Sequence, residues 1–276
     1  ADTAPEEVLT ELIRYSSFLQ QLLYTRGIET AVDAETFLKP LYAEGLHDPF
    51  LLHDMDVAVE RILKAIAGEQ KIVVYSDYDC DGIPGGVVFH DFYKAIGYTN
   101  FINHIPHRHY EGFGLNVAAV EKLAEEGAEL IVTIDCGVTD VDAVAKANEL
   151  GVDVIITDHH QAKEKLPDAI AIVNPQIGDT YPFKGLCGAG VIFKVVQALL
   201  EKGDFELKEG WEKWWLDMVA VATIADMVPL RGENRVLATY GLQVLRKSRR
   251  PGLQQLLRKQ KADQRYLTED DIGFTI

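Results

Sequence analysis

The spacing of apolar residues divides the chain into two parts. In the first part, apolar positions over residues 6–24, 30–38 and 54–67 recur at helical intervals, and Asp54 stands where the third helix would need an N-cap. A glycine or a proline follows each of these segments, as expected at helix ends. The pattern predicts a helical N-terminal cap over residues 1–70, and nothing in it looks catalytic.

From residue 71 onward, short apolar runs alternate with helical segments. The pattern predicts strands over 72–76, 100–105, 130–134, 154–157 and 169–173, and helices over 82–96, 116–126 and 140–149. This βαβ alternation is typical of an α/β fold with a doubly wound, mainly parallel sheet flanked by helices. We assign the α/β domain to residues 71–245 and a helical connector to residues 246–276.

Acidic and histidine residues follow three of the predicted strands: Asp77, Asp79, Asp81, Asp135, Asp158, His159 and His160. In an open α/β sheet, the carboxyl ends of the strands form the edge where ligands bind. Three carboxylates within five residues repel one another unless a cation lies between them, and divalent cations prefer oxygen ligands. A solvated acidic turn, or a helix cap, would explain any one of these motifs alone. Their convergence on one edge favours a metal site, to which Asp226 at the end of an apolar helical segment adds a carboxylate.

Composition and charge narrow the class of protein. A hydrophobic fraction of 47% and a charged fraction of 25% are those of a soluble globular chain, and no apolar run approaches the roughly 20 residues of a membrane span. The N-terminus lacks signal-peptide features. The three cysteines form no CxxC pair, which argues against a disulfide framework or a zinc ribbon, so we expect a cytoplasmic location.

The net charge of −16 argues against indiscriminate binding to polyanions, yet basic residues cluster over 104–109 and 246–261. Arg108 and His109, in the loop after the second strand, are candidates for contact with DNA phosphate. The second basic cluster is equally explained as a solvated helix face. The three tryptophans over residues 211–215 could stack on bases, but packing is the interpretation that we favour.

Four short motifs, in order, resemble those of the DHH phosphoesterase superfamily: DYDCDG at 77–82, DCG at 135–137, DHH at 158–160 and IADMVP at 224–229. Flanking segments narrow the resemblance, among them IPHR at 105–108, EGFGLN at 111–116 and ADMVPLRGENRVLATYGL at 225–242. Together they are similar to the RecJ single-strand-specific 5′→3′ DNA exonucleases. The resemblance covers nearly the whole chain.

The resemblance implies a metal-dependent exonuclease that hydrolyses single-stranded DNA to 5′-mononucleotides by two-metal catalysis, in DNA repair and recombination. The implied metal ligands are Asp79, Asp81, Asp135, His159 and Asp226, with Asp77 as a further candidate. Asp135 would bridge the two metals, and His160 would lie near the scissile phosphate, so that Asp135, His159 and His160 form the implied catalytic set. Asp77 and Asp158 could instead orient a ligand. The oxygen-rich ligand set suits Mn²⁺ or Mg²⁺ better than zinc, and the histidine favours Mn²⁺.

Two departures from the family pattern leave alternatives open. Pro84, Gly85 and Gly86 stand where the family commonly has small hydroxyl residues, and the chain stops at DIGFTI, about where the family continues into a second domain. We therefore expect either a fragment or a partner chain that supplies that domain. Single-stranded DNA and a single-strand-binding protein are the other expected partners. The alternative functions are a phosphodiesterase or phosphatase for short oligonucleotides or cyclic dinucleotides, and, ranked last, a non-catalytic replication-complex subunit.

Overall fold

The first three helices belong to a separate unit at the start of the chain. The computed structural model describes residues 3–274, which divide along the sequence between Leu46 and His47 into two compact units. The helices of the first unit are α1 (Glu6–Glu11), α2 (Ser17–Tyr24) and α3 (Ala31–Leu38). The single helix predicted over residues 6–24 is wrong, because the Ser16 hydroxyl accepts a hydrogen bond from the Leu19 N–H and begins a new helix there.

The second unit is built on a parallel sheet whose strand order confirms the predicted fold class. Its strands are β1 (Ile72–Ser76), β2 (Phe101–His104), β3 (Leu130–Ile134), β4 (Asp153–Thr157) and β5 (Ala171–Val173). Among the described residues the sheet has five strands in the order β2-β1-β3-β4-β5, and every pair is parallel. The chain winds outward in both directions from β1 and β3. The strand order therefore reverses between these two strands, which is where open α/β sheets bind ligands.

Helices cover both faces of this sheet. The helices of this unit are α4 (Met55–Ala67), α5 (Gly82–Ala95), α6 (Val117–Glu125), α7 (Val141–Glu149), α8 (Gly188–Lys202), α9 (Leu216–Ala225), α10 (Gly232–Leu245), α11 (Pro251–Gln260) and α12 (Glu269–Phe274). Helices α6 and α7 pack on the face that carries Val73, Ile131 and Val154. Helices α5 and α8 pack on the opposite face, and α9 packs against both of them. No helix within residues 3–274 is both long and apolar enough to cross a membrane.

Helix α4 begins differently from the prediction. Asp54 does precede the helix, but its φ of 53° is left-handed and its side chain makes no capping bond. Its carboxylate instead accepts a hydrogen bond of 3.1 Å from the backbone N–H of Ile172, which ties the start of α4 to β5. Helix α4 thus belongs to the second unit, whereas the sequence analysis placed it in a cap over residues 1–70. The domain boundaries at residues 70 and 245 stay predictions.

A buried ion pair joins α8 to α10. The Nζ atom of Lys194 lies 3.1 Å from Oε1 of Glu233, and neither side chain is exposed to solvent. Glu233 also accepts hydrogen bonds from the Tyr181 hydroxyl and from the backbone N–H of His47. Because each buried charge has partners, the pair holds the two helices in register without an uncompensated charge. The GENR segment of α10 thus has a structural role in the fold.

Candidate metal centre

The register of the sheet brings the ends of three strands level. The last residues of β1, β3 and β4 are opposite one another, and each is followed directly by an aspartate: Asp77, Asp135 and Asp158. The backbone N–H of Asp77 donates to the carbonyl of Ile134, and that of Asp135 donates to the carbonyl of Thr157. The ladder therefore continues through the aspartates and sets their carboxylates side by side.

Asp135 lies at the centre of this edge in a strained conformation. Its φ of 63° is in the left-handed region, which non-glycine residues seldom adopt. Its side chain is buried, and its Oδ1 atom has no hydrogen-bond partner within the described part of the chain, as is also true of Oδ1 of Asp77. Buried carboxylate oxygens without donors are costly, and a bound cation removes that cost. The donor set therefore fits a metal ion.

The potential ligands form three groups that share members. Within each group, one ligand atom from each of three residues lies within 4.8 Å of the other two. The groups are Asp77, Asp79 and Asp135; Asp135, His159 and His160; and Asp81, His159 and Asp226. The Nε2 atom of His159 lies 3.2 Å from Asp135, 3.6 Å from Asp81 and 3.9 Å from Asp226. Asp226 comes from the C-terminal end of α9, so four separate segments contribute. The structure thus brings together all the residues that the sequence analysis named as ligands, while their binding of metal stays a prediction.

The N-terminus of α8 holds the carboxylate of Asp81. The Oδ1 atom of Asp81 accepts a hydrogen bond of 2.7 Å from the N–H of Ala189, and Oδ2 accepts one from the N–H of Gly188. A Cβ atom on Gly188 would lie 2.6 Å from Cβ of Asp135, so glycine is required where the helix meets this edge. The sequence GAG at 188–190 therefore positions two carboxylates, a role that the sequence analysis did not find.

Asp158 is tied to His160. Its Oδ1 atom accepts hydrogen bonds from the backbone N–H groups of His159 and His160 and lies 2.7 Å from Nδ1 of His160, while Oδ2 accepts one from Val138. Burial alone would raise the pKa of Asp158, but these hydrogen bonds, from the His160 ring above all, hold the pKa below its usual value. The hydrogen bond to Asp158 in turn raises the pKa of His160. Asp158 therefore orients a histidine, which is the role that the resemblance left open for it.

Several carboxyl groups at this edge of the sheet have raised pKa values. Burial raises the pKa of Asp135, and the neighbouring carboxylates of Asp81 and Asp79 raise it further. Burial also raises the pKa of Asp81 to about 6, although N–H groups of α8 oppose the shift. The pKa of Asp226 is raised, again chiefly by burial. The cluster disfavours several negative charges at once, and a divalent cation would compensate them.

Two aromatic side chains beside the cluster were not found from the sequence. Arg108 stacks on the ring of Tyr78, with Cζ 4.3 Å from the ring centroid, and so lies next to the first acidic motif. Phe113 contacts His160 edge to face, with the ring centroids 5.8 Å apart. The backbone N–H of His109 bonds to His107, and no contact brings His109 to the cluster within the described residues. Phe113 lies between two glycines, both at positive φ, and this glycine pair was the signal in the sequence for a turn that leaves the ring exposed.

The glycines at the start of α5 serve packing. The sequence analysis noted that Gly85 and Gly86 replace hydroxyl residues. A Cβ atom on Gly85 would lie 2.7 Å from Cγ2 of Ile134, and one on Gly86 would lie 3.0 Å from Oγ of Ser76. The N–H of Gly85 donates to the carbonyl of Asp81 within the helix. These glycines therefore allow α5 to approach the sheet closely.

A doubly wound sheet with a cluster of carboxylates and histidines where its strand order reverses defines an α/β protein with a candidate metal centre. Residues 71–223 match the model of the DHH family, N-terminal domain. The match covers more than half of the chain, and the chain therefore belongs to the DHH family. The superfamily resemblance inferred from the four motifs is confirmed.

The curated relatives carry a more specific name. The single-stranded-DNA-specific exonuclease RecJ of Bacillus subtilis is 42% identical over 270 residues, which are 97% of this chain and 33% of that protein. The RecJ of Salmonella typhimurium is 36% identical over 272 residues, which are 94% of this chain and 45% of that protein. The chain thus spans between a third and a half of the length of these relatives. The resemblance to RecJ proteins is confirmed.

Solved structures agree with this similarity. RecJ in complex with Mn²⁺ from Thermus thermophilus superposes with a TM-score of 0.80 at 27% identity, over 100% of this chain and 38% of that chain. The crystal structure of an exonuclease RecJ bound to manganese superposes with a TM-score of 0.72 at 32% identity, over 81% of this chain and 55% of that chain. The fold of this chain is therefore similar to that of these RecJ structures.

Proposed function

We propose that this chain carries the catalytic centre of a metal-dependent exonuclease that degrades single-stranded DNA. The reaction is hydrolysis of phosphodiester bonds in the 5′→3′ direction, releasing 5′-mononucleotides, in DNA repair and recombination. The observation that carries the proposal is the buried carboxylate of Asp135, whose Oδ1 atom lacks a hydrogen-bond partner among the described residues where two groups of potential ligands overlap. The names of the RecJ relatives support single-stranded DNA as the substrate.

The ligand groups suit a site for two divalent cations. Asp77, Asp79 and Asp135 would hold one cation, and Asp81, His159 and Asp226 would hold the other. Asp135 also belongs to a group with His159 and His160, so it would serve both cations, as the resemblance implies. Oxygen donors with one imidazole favour Mn²⁺ or Mg²⁺, and both Mn²⁺-bound and Mg²⁺-bound RecJ structures resemble this chain. Such cations supply Lewis-acid chemistry, which polarises the phosphoryl oxygens and acidifies the attacking water.

The remaining side chains bind and orient the substrate. The Nδ1 atom of His160 is held by Asp158, so Nε2 is left to donate to a non-bridging phosphate oxygen when the ring is protonated. Arg108 beside Tyr78 adds positive charge for phosphate next to the first acidic motif. His109 is a further candidate for contact with phosphate, and its position in the same loop as Arg108 is the support for that role.

Labelled single-stranded DNA tests this function. With Mn²⁺ present, we expect early release of labelled mononucleotide from 5′-labelled DNA, little from a duplex, and none with Asp135→Ala. Asp179→Ala, at an exposed carboxylate outside the cluster, is the matched control and should keep full activity. Normal turnover by a folded Asp135→Ala variant would contradict the two-metal mechanism. Cleavage of dinucleotides without cleavage of long strands would instead favour the small-substrate phosphodiesterase.

Location and partner chains are part of the proposal. Action on DNA supports a cytoplasmic site of action, and a single-strand-binding protein, or a chain that supplies a second domain, would be the protein partner. Cell fractionation and co-purification of the tagged chain test both statements. Residues 71–245 remain the proposed DHH domain, and residues 246–276 the proposed connector.

A further inference from the structure

A groove of about 810 Å³ lies outside the candidate metal centre. Its walls include Trp211, Trp214, Trp215, Lys247, Arg249 and Arg250. Trp215 directly precedes α9, and Asp226 of the metal centre directly follows it. Because α9 has ten residues, the two sites are separated by about 15 Å along the helix axis, at about 1.5 Å per residue. The groove and the metal centre are therefore distinct sites at the two ends of one helix.

Two of the three tryptophans are not explained by packing. Trp215 is buried and packs edge to face on Phe92, as the packing interpretation predicts. Trp211 and Trp214, however, are 41% and 56% exposed as residues and line the same groove. Two large indole rings that remain exposed in one concave surface indicate a binding site for a flat, apolar group.

The free charges of the groove are positive. The carboxylates of Asp91 and Asp217 both pair with the guanidinium of Arg250, at 2.6 Å and 2.8 Å, and this single positive charge offsets one of the two negative charges. With Lys247 and Arg249, the lining carries two negative and three positive charges, so its net charge is positive by one. Lys247 and Arg249 are exposed, and neither forms an ion pair with a residue of the described range 3–274. In a chain with a net charge of −16, this local positive charge complements an anionic ligand.

We propose that this groove binds single-stranded nucleic acid at a distance from the scissile bond. Bases stack on Trp211 and Trp214, and phosphates contact Lys247 and Arg249. Exposed aromatic rings interleaved with basic side chains recognise single strands in this way without reading their sequence. The choice of ligand rests on the proposed nuclease function, because that function makes single-stranded DNA the substrate. The groove would hold the strand while its end is hydrolysed at the metal centre.

The binding test needs no hydrolysis. A fluorescently labelled thymidine 20-mer is titrated with the protein in EDTA, and its anisotropy gives Kd, while intrinsic tryptophan fluorescence is followed with unlabelled strand. We expect Trp214→Ala to weaken binding at least about fivefold and to remove most of the quenching. We expect Lys247→Glu combined with Arg249→Glu to weaken binding and to reduce the slope of log Kd against log salt by about 0.7 for each lost phosphate contact.

Matched controls separate the groove from general effects. Tyr266→Ala removes an exposed aromatic ring that does not line the groove, and Lys122→Glu with Lys165→Glu reverses two exposed charges that do not line it. Both variants should bind as the unaltered chain does. None of these variants should change Mn²⁺-dependent cleavage of a dinucleotide, because a dinucleotide is too short to reach both sites. If the groove variants bind long strands normally, the proposal is overturned.

Two further outcomes distinguish this proposal from the nuclease function. Binding that depends on Trp214 in a chain that cleaves nothing would support the groove and contradict the nuclease. Cleavage of long strands that is indifferent to every groove variant would support the nuclease and overturn the groove. Sedimentation of the free chain is run alongside, since self-association lost in Trp214→Ala would mean that a second copy occupies the groove and would also overturn the proposal.

Discussion

The Nδ1 atom of His160 lies 2.7 Å from Oδ1 of Asp158, which also accepts two backbone N–H bonds from the same segment. An ionised carboxylate can only accept hydrogen bonds, so this contact requires the proton of the neutral imidazole on Nδ1. The contact thereby selects the tautomer and leaves Nε2 as the nitrogen that can act on a ligand. The orientation of the histidine is thus built into the turn that follows β4.

The first prediction concerns the pKa of His160. Its hydrogen bond to Asp158 raises that pKa, so Asp158→Asn should lower it towards the unperturbed value of about 6.5. Histidine ring resonances followed by NMR against pH, in the metal-free protein, measure the change. Asp142→Asn on the exposed side of α7 is the control and should leave the titration unchanged. A pKa that stays raised in Asp158→Asn would show that another group holds the proton.

The second prediction concerns the uncompensated carboxylate of Asp135. Asp135→Asn should stabilise the metal-free protein by about 1 to 3 kcal/mol, because the raised pKa of Asp135 means that folding at neutral pH must protonate this carboxyl, and an amide avoids that cost. Asparagine, like aspartate, tolerates the left-handed backbone at this position. We expect Mn²⁺ to raise the melting temperature of the unaltered protein, and Asp135→Asn should abolish that rise. Calorimetry with and without Mn²⁺ measures both effects, and Asp179→Asn is the control. A lower melting temperature in metal-free Asp135→Asn would contradict the argument.

The third prediction concerns the pH dependence of stability. The pKa of Asp81 rises from 3.8 when unfolded to about 6 when folded, so between these values the folded state binds a proton that the unfolded chain has lost. The Asp81 contribution to the free energy of unfolding should therefore fall by about 3 kcal/mol as pH rises through this range. Saturating Mn²⁺ should reverse the slope, because ligands must be deprotonated to bind metal.

Urea denaturation at pH 4 to 7 measures this contribution as the difference between the unaltered chain and Asp81→Asn. The comparison removes the general effect of the other carboxylates, since both chains carry them. Equal slopes for the two chains without metal would show that Asp81 ionises normally in the fold.

The fourth prediction uses a matched pair of glycines. Gly188→Ala would place a methyl group 2.6 Å from Cβ of Asp135 and should weaken Mn²⁺ binding about tenfold or more. Gly252→Ala on α11 meets nothing within 4 Å and should stabilise the protein by about 0.5 to 1 kcal/mol without affecting metal binding. Isothermal titration with Mn²⁺ compares them. Equal affinity in both variants would mean that α8 can shift away from Asp135 at little cost.

The sheet and its acidic edge could be predicted because both depend on residues that are close together in the sequence. Apolar runs predicted all five strands to within two residues, and parallel strands place whatever follows their carboxyl ends at one edge. Asp77, Asp135 and Asp158 could therefore be grouped without any knowledge of the register. The register then brought them level.

Features that depend on contacts distant in the sequence were not predictable. The bond from Ala189 to Asp81 joins residues 108 positions apart, and no local pattern marks it. Asp135 has a left-handed φ and lies against Gly188 of α8, which is distant in the sequence, and aspartate gives only a weak signal for such a conformation. The break between α1 and α2 was missed for a different reason. Apolar residues keep their helical spacing across Ser16, but the Ser16 hydroxyl caps a new helix there.

The potential ligands are dispersed along the chain, from Asp77 to Asp226. During synthesis, the first acidic motif leaves the ribosome long before α9 exists, so no early intermediate can hold a complete set of donors. Metal binding at this site would therefore be a late event in the maturation of this protein. Binding of Mn²⁺ would then require that the polypeptide has been synthesised at least as far as Asp226 and that folding has brought its carboxylates together.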